Sequence, residues 1–425
     1  MKVLLLSPSV TRDSPQAPLG LLMLRASLNG RHDVRILDLN FITDRVKLSS
    51  VKPDIVGISS MSFQRDGVIE ISRKLKQNDV PVVVGGSHPT IAAEEMLRCP
   101  SIDYVVRGEA EEAFPKLLDA LERDLPLNDV PNLGYKKNGK IRLNRVQQIR
   151  NLDSLPFPDY ESIDMHKYRA RGQHCTLEVP YETTRGCPFS CLFCCVNRLK
   201  GSFRAMSLDK VFREIERITE LYQMDSILLN FFDNNFLFSR GRVSEFCRWL
   251  REKTLVSRVN WMCAARADQI DGPLAKEMSE AGLVKIFIGG EAGYNSALRL
   301  LHKGISLSDV RNAVKICVKH RIRAEVGFIV GFPWEKERDV RKTSSFALEL
   351  AEMGANTGLY KCVPYPGTPL WKQLEKSNVR IDASNSSNFD FFSEKLVFDH
   401  PYLEDSYLDS VVRMHMNREG GSEED

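Results

Sequence analysis

Short apolar runs recur along the first third of the chain and alternate with longer amphipathic stretches. Val3-Leu4-Leu5-Leu6, Val34-Arg35-Ile36-Leu37, Ile55-Val56-Gly57-Ile58, Val82-Val83-Val84 and Tyr104-Val105-Val106 are brief and rich in β-branched side chains. That pattern suits parallel strands buried on both faces. Helical patterns lie between most of them, at Gly20–Leu28, Asp66–Lys76 and Glu111–Glu122. The alternation predicts an open, doubly wound α/β sheet over residues 1–124, with ligands at the carboxyl ends of its strands. The stretch from Phe41 to Pro53 is short for a crossover, which predicts a stunted helix there.

Residues 125–178 read as a connector. Asn138-Gly139, between Leu133–Lys137 and Lys140–Leu143, predicts a β-hairpin. Leu155-Pro156-Phe157-Pro158-Asp159 then breaks regular structure. From about Glu178 the alternation resumes, with strand-like runs near Tyr181–Thr184, Ser226–Phe232, Asn260–Ala264, Lys285–Gly289, Arg323–Val330 and Thr357–Cys362. Helical stretches such as Leu208–Tyr222 and Val340–Met353 separate them. Six such units predict a partial parallel barrel over residues 179–370, again with its chemistry at the carboxyl ends of the strands. Residues 371–425 are a mixed extension, and the Gly-rich acidic tail Glu419–Asp425 is expected to be disordered.

Composition narrows the classes. Of 425 residues, 43% are apolar and 27% charged, ordinary for a soluble protein and enough for two or three cores. The formal charge of +3 is too small for a dedicated nucleic-acid binder. No apolar run approaches the roughly 20 residues that span a bilayer. Met1–Ser9 is a strand-like run with no small-residue cleavage site. Neither a membrane protein nor a secreted one is expected, and the expected location is the cytoplasm.

In a reducing cytosol, clustered thiols point to a metal or to catalysis rather than to disulfides. Cys99, Cys175, Cys247, Cys263, Cys317 and Cys362 are scattered, as small core residues are. Cys263 and Cys362 end the third and sixth barrel strands, so each is weighed between packing and the cavity. Cys187-Pro-Phe-Ser-Cys191-Leu-Phe-Cys194 instead follows the first barrel strand, with Cys195 beside it. Three thiolates on one loop can hold three corners of a cubane iron–sulfur cluster and leave the fourth iron open to a ligand. Structural zinc with Cys195 as fourth ligand is the rival, but zinc sites usually pair two separated ligand sets, and no second set is evident.

Thr184-Arg185-Gly186-Cys187-Pro188-Phe189-Ser190-Cys191-Leu192-Phe193-Cys194 resembles the cluster loop of the radical S-adenosylmethionine (SAM) enzymes. More closely, the chain resembles their cobalamin-binding-domain subfamily, over nearly its whole length. Pro18-Leu19-Gly20-Leu21-Leu22, Gly85-Gly86-Ser87-His88-Pro89-Thr90, and Val105-Val106-Arg107-Gly108-Glu109 with Glu111 match the first domain. Gly289-Gly290-Glu291-Ala292-Gly293, Gly327-Phe328-Ile329-Val330-Gly331-Phe332-Pro333 with Glu335, and Pro364-Tyr365-Pro366-Gly367-Thr368-Pro369-Leu370 match the barrel. The resemblance implies an N-terminal Rossmann-like, cobalamin-binding-type domain followed by a partial (β/α)6 radical SAM barrel.

It also implies roles. Cys187, Cys191 and Cys194 would hold a 4Fe–4S cluster whose open iron takes the amino and carboxylate groups of SAM. One electron, from a reductant such as flavodoxin or ferredoxin, would then release a 5′-deoxyadenosyl radical. Glu291 would contact the ribose or the methionyl amine, with Gly289 and Gly290 allowing close backbone approach. Ile329 and Phe328 would pack on the adenine. Asp233, Asn234 and Arg266 are further polar candidates, although the subfamily often shows paired aspartates where this chain has Asn234-Asn235. No catalytic side chain is assigned beyond the cluster.

Cobalamin proteins of the methionine-synthase type supply an axial histidine from Asp-x-His-x-x-Gly after the first strand. Here Ser7–Asp13 holds no histidine, and neither does Asp38-Leu39-Asn40. Bound cobalamin is therefore expected to lack a protein imidazole on cobalt. Ser59, Ser60, Gly85 and Gly86 would contact its nucleotide tail, and His88 would hydrogen-bond locally. The bland alternative is a degenerate domain that binds nothing.

The leading expectation is cobalamin-dependent methyl transfer to an unreactive carbon of a small molecule. A second reading drops cobalamin and moves the 3-amino-3-carboxypropyl group of SAM to a soft acceptor such as trivalent arsenic. A third is a non-catalytic iron–sulfur or cobalamin sensor. The short stretch after Leu370 leaves little mass for a substrate domain, so the substrate is expected to be small. Arg185, Arg198, Lys200 and Arg204 surround the cluster loop, either holding an anion or forming a solvated face.

Overall fold

Leu4, Leu5 and Leu6 expose no surface, so the first strand, β1 (Lys2–Ser7), is covered on both faces. The computed structural model describes residues 1–9, 15–41, 52–169, 176–223, 225–390 and 392–419. It divides into two compact units, Met1–His174 with Arg198–Met206, and Cys175–Asn197 with Ser207–Asp425. In the first unit, β1, β2 (Asp33–Asp38), β3 (Ile55–Ser59), β4 (Val82–Gly85) and β5 (Tyr104–Val106) are parallel, in the order β2-β1-β3-β4-β5. Alternate side chains feed two layers. Leu5 joins Leu21 and Leu24 of α1 (Leu19–Ser27) and Phe114 and Leu117 of α3 (Ala113–Glu122). Leu4 and Leu6 join Val68 and Leu75 of α2 (Arg65–Lys76). Each such leucine contributes about 2 kcal/mol relative to exposure. The strand order reverses between β1 and β3, which opens a crevice at their carboxyl ends.

The hairpin forms as β6 (Leu133–Lys137) and β7 (Lys140–Leu143), with Asn138 and Gly139 both left-handed at φ 51° and 71°. β6 pairs antiparallel with β5, so the hairpin extends the first sheet. Residues 198–206 also belong to this unit: Arg204 Nη1 lies 2.9 Å from Glu109 Oε2, and its Nη2 donates to the Lys200 carbonyl at 2.6 Å. Most of the Phe41–Pro53 stretch lies outside the described residues.

The second unit is a six-stranded parallel sheet in sequential order, β8 (Thr176–Tyr181), β9 (Ser226–Phe231), β10 (Val259–Ala265), β11 (Leu283–Glu291), β12 (Arg323–Val330) and β13 (Asn356–Lys361). Helices α4 (Leu208–Leu221), α5 (Arg240–Glu252), α6 (Gly272–Glu280), α7 (Leu307–Lys319) and α8 (Glu337–Glu352) separate the strands. The first strand starts at Thr176 rather than Tyr181. Pro180 lies inside β8, which is an edge strand, where a missing N–H is tolerated. On β11, Ile286 and Ile288 are fully buried against the helix layer, whereas Phe287 between them is 39% exposed on the other face. In the extension, α9 (Asp405–Glu419) returns to β13 through His415 Nε2, 2.9 Å from the hydroxyl and carbonyl oxygens of Thr357. Residues 420–425, most of the tail expected to be disordered, lie outside the described residues.

Candidate active site

The cysteine loop is anchored from the neighbouring strand. Asp233, just after β9, is 2% exposed. Its Oδ1 accepts from the Thr183 and Thr184 hydroxyls at 2.7 and 2.5 Å, and its Oδ2 from the Thr183 amide at 2.9 Å. Burial pushes this carboxyl up to about 6 against the pull of those donors. Both oxygens are thus engaged, and Asp233 positions the root of the loop. Asn234 is exposed beside it.

Farther along, the Leu192 amide donates to the Leu301 carbonyl at 3.0 Å, and the Leu192 carbonyl accepts from the Leu370 amide at 3.0 Å. Leu192 is buried, while Cys187, Cys191 and Cys194 are partly exposed with free thiols. The anchored loop thus holds three partly exposed cysteines near one another in sequence. Among the described residues, the one set of three potential ligand atoms within 4.8 Å of one another is His32, Asp119 and Glu122. The three loop sulfurs do not form such a set. Tetrahedral zinc, at about 2.3 Å per thiolate, would draw its sulfurs to within about 4 Å of one another. A cubane takes one thiolate per iron and spreads them. The donor set fits the cluster.

Lys303 Nζ lies 2.6 Å from Glu291 Oε1, and both residues are 8% exposed. Burial opposes the Lys303 charge, but Glu291 and Cys191 hold its pKa above the ordinary value. Glu291 sits at φ 60°, where the register between β11 and β12 slips. A Cβ on Gly289 would stand 2.3 Å from Glu291 Oε1 and 2.7 Å from Lys303 Nζ. A Cβ on Gly290 would stand 2.8 Å from the Phe328 ring. These glycines make room for an ion pair and a core ring, a different cause from the backbone approach expected. Lys303 itself escaped the sequence reading, since nothing in its local pattern marks it.

Arg266 is fixed nearby. Its Nη1 donates to the Lys303 carbonyl at 2.6 Å, its Nε and Nη2 meet Asp268 at 3.0 and 2.9 Å, and its guanidinium lies 3.8 Å over the Phe189 ring of the cysteine loop. Burial raises the Cys191 thiol pKa, and Lys303 and Arg266 work against that rise. The loop thus meets two fixed cations, which suits a negatively charged cluster.

Side-chain parity on β12 separates two residues expected to share a role. Ile329 is only partly buried and stands in register with Tyr360. Phe328 faces the opposite way, fully buried, with its ring 5.8 Å from Phe346 of α8. It is a core residue and does not share the face of Ile329. Glu335 fixes the turn after β12, accepting from the Gly331 and Phe332 amides at 2.7 and 3.0 Å and from the Tyr294 hydroxyl at 2.9 Å. Trp334 stacks on Phe332 at 5.1 Å, and Phe332 lies 6.2 Å from Phe193 of the loop. Cys263 and Cys362 are packed at 4% and 1% exposure, and burial raises both thiols. The Arg185 Nε is held by Glu182 at 2.9 Å.

In the first unit, the ends of β3 and β4 press together. Gly86 has φ 99°, and a Cβ there would stand 2.8 Å from the Ser60 carbonyl oxygen. Ser59, Gly85 and Gly86 all keep exposed surface, forming a small-residue ledge that suits a bulky ligand tail. Ser60 does not join them, because it is fully buried and its hydroxyl bonds to the Met61 carbonyl at 3.2 Å. His88 is 1% exposed, with Nδ1 3.2 Å from the Ser62 hydroxyl, and burial pushes its pKa down to about 4. Gln64, unremarked in the sequence, ties the two sides of the switch crevice: its Nε2 donates to the Pro8 and Ser9 carbonyls, and its Oε1 accepts from the Met61 amide.

Known proteins match both units. The B12 binding domain model matches residues 9–118, and the radical SAM superfamily model matches residues 181–347. The chain is 33% identical over 378 residues to an uncharacterized methyltransferase of Pyrococcus horikoshii, covering 86% of this chain and 80% of that one. It is 26% identical over 388 residues to the hopanoid C-2 methylase of Rhodopseudomonas palustris, covering 88% and 67%. Two solved structures share the fold. The cobalamin-dependent S-adenosylmethionine radical enzyme OxsB, with aqua-cobalamin bound, aligns at TM-score 0.78 and 18% identity over 99% of this chain and 67% of that one. The radical S-adenosylmethionine methyltransferase TsrM from Kitasatospora setae aligns at 0.72 and 19% over 90% and 77%. With a cluster loop in one unit and a B12 domain in the other, the chain belongs to the cobalamin-binding radical SAM methyltransferases, enzymes that work with a 4Fe–4S cluster, SAM and cobalamin.

Proposed function

We propose that this enzyme methylates an unreactive carbon of a small molecule, and that Cys187, Cys191 and Cys194 hold its cluster. The observation that carries the reading is a loop of three partly exposed, unpaired cysteines without a second ligand set, on a chain that also matches a B12 domain. When bound, the cluster supplies the electron that breaks SAM, and cobalamin carries the methyl group. The protein's share is positioning. Asp233 sets the root of the loop, Leu192 pins its middle, and Lys303 and Arg266 offset its negative charge. Ser59, Gly85 and Gly86 form the ledge proposed for the cobalamin tail.

The B12 match across residues 9–118 favours this reading over cobalamin-independent transfer of the aminocarboxypropyl group. No described helix is long and apolar enough to cross a membrane; a cytoplasmic location and a small one-electron reductant are part of the same proposal. Products decide between the readings. Incubated without oxygen with SAM, reductant and cobalamin, the enzyme should form S-adenosylhomocysteine and 5′-deoxyadenosine together. Accumulation of 5′-methylthioadenosine, the remnant of aminocarboxypropyl transfer, would contradict the proposal. SAM bound but never consumed would favour a sensor.

A further inference from the structure

The chain that leaves the cysteine loop is gripped within a few residues of its last cysteines. Val196–Lys200 forms one short helical turn. At its start, the Val196 amide donates to the Cys194 sulfur, and Asn197 Nδ2 donates to the Phe189 carbonyl of the loop at 2.8 Å. At its far end, the Lys200 carbonyl accepts from Arg204 Nη2 at 2.6 Å. Arg204 is itself fixed by Glu109: Nη1 lies 2.9 Å from Oε2, with the two side chains only 9% and 4% exposed. That same Oε2 accepts from the Ile149 amide at 2.7 Å, and the Ile149 carbonyl accepts from Arg204 Nη1. A second clasp sits between them. Gln148 Oε1 accepts from the Ser202 hydroxyl at 2.9 Å, and its amide fills the side-chain space of Gly201, where a Cβ would stand 1.4 Å from Nε2.

We propose that Glu109 is a positioning residue for the cluster: through Arg204 it holds the turn 196–200, keeps the Val196 amide on the Cys194 sulfur, and so raises the reduction potential. The inference rests on the radical SAM reading of the cysteine loop. Reduction adds one negative charge to a cluster, and hydrogen bonds to its sulfurs stabilise that charge. A five-residue turn is far too short to persist by itself, so its shape depends on what holds its two ends. Asn197 holds the end beside the loop, and Arg204 holds the other. A buried ion pair adds little net stability over apolar packing, so the value of Glu109 and Arg204 lies in the conformation they fix.

The test is a potential rather than turnover. Reconstituted wild type, Glu109→Ala, Gly201→Ala and Leu24→Ala are poised with dithionite and redox mediators, and the reduced cluster is counted by electron paramagnetic resonance. Iron content and thermal midpoint are recorded for each. Gly201→Ala displaces Gln148 and loosens the clasp while leaving Glu109 and Arg204 in place. Leu24→Ala truncates the core of the same unit, away from the clasp. Glu109→Ala and Gly201→Ala should keep a full complement of iron yet titrate at lower potential, with the reduced-to-oxidised ratio at fixed poise falling about tenfold. Leu24→Ala should lower the thermal midpoint and leave the potential unchanged. An unchanged potential in both clasp variants would overturn the inference and leave the wider reading intact. An equal shift in Leu24→Ala would also overturn it, by making the effect one of general stability. So would clasp variants that hold no cluster, because the grip would then serve assembly. Wild type that takes up no cluster would overturn both the inference and the reading beneath it.

Discussion

The Lys303 ammonium lies 2.6 Å from the Glu291 carboxylate, and the pair fills the space that a side chain at position 289 would need. Gly289→Ala should therefore break the pair. Lys303→Met should leave a buried carboxylate uncompensated, at a cost of about 3–5 kcal/mol. Urea unfolding of each variant checks this. Equal stability of wild type and Lys303→Met would mean that Glu291 finds another partner or solvent.

The loop separates three ligands from a bystander. Cys187→Ala, Cys191→Ala and Cys194→Ala should each lose the bound iron and the visible absorbance of a reconstituted cluster. Cys195→Ala should keep both. Loss of iron in Cys195→Ala alone would reassign the ligand set.

Gly86 combines a positive φ with a backbone neighbour at 2.8 Å, so even a methyl group there is strained. Gly86→Ala should part the ends of β3 and β4, lowering retained cobalamin about tenfold while leaving SAM binding unchanged. Equilibrium dialysis with each ligand reads the two effects separately. Parallel losses of both ligands would argue against a ledge that serves cobalamin.

Burial pushes the Glu335 carboxyl up from 4.5 to about 7, so the folded protein holds that proton more tightly than the unfolded chain does. The stability this group contributes is full below 4.5 and lost as pH rises through about 7. Glu335→Gln removes the titration, because its amide can accept from the two backbone amides and donate to Tyr294. Between about pH 5 and 8, wild type should lose about 1–3 kcal/mol relative to Glu335→Gln. Parallel stability curves would place the ordinary carboxyl pKa there instead.

Strands buried on both faces were legible because their apolar runs are uninterrupted, as in Val3–Leu6 and Val82–Val84. β8 begins five residues before the expected run, and its edge position, which tolerates Pro180, is a property of the sheet and not of the run. The same limit applies to Phe328 and Ile329. Adjacent residues on a strand face opposite ways, and which face is core depends on the helices that cover it. The cysteine loop was legible because its spacing is local. Lys303 was not, since it reaches Glu291 across a short helix and turn, and its meaning lies in burial. Gly289 was visible as a glycine, but its cause, an ion pair occupying its side-chain space, is visible only in three dimensions.

The central claim is that one chain holds a radical SAM cluster and cobalamin together. The most direct test reconstitutes the cluster without oxygen, adds hydroxocobalamin, desalts, and records the ultraviolet–visible spectrum of the protein fraction. Near-stoichiometric cobalamin alongside cluster absorbance is the predicted result. Cluster absorbance with no retained cobalamin would contradict the claim and reduce the first unit to a scaffold.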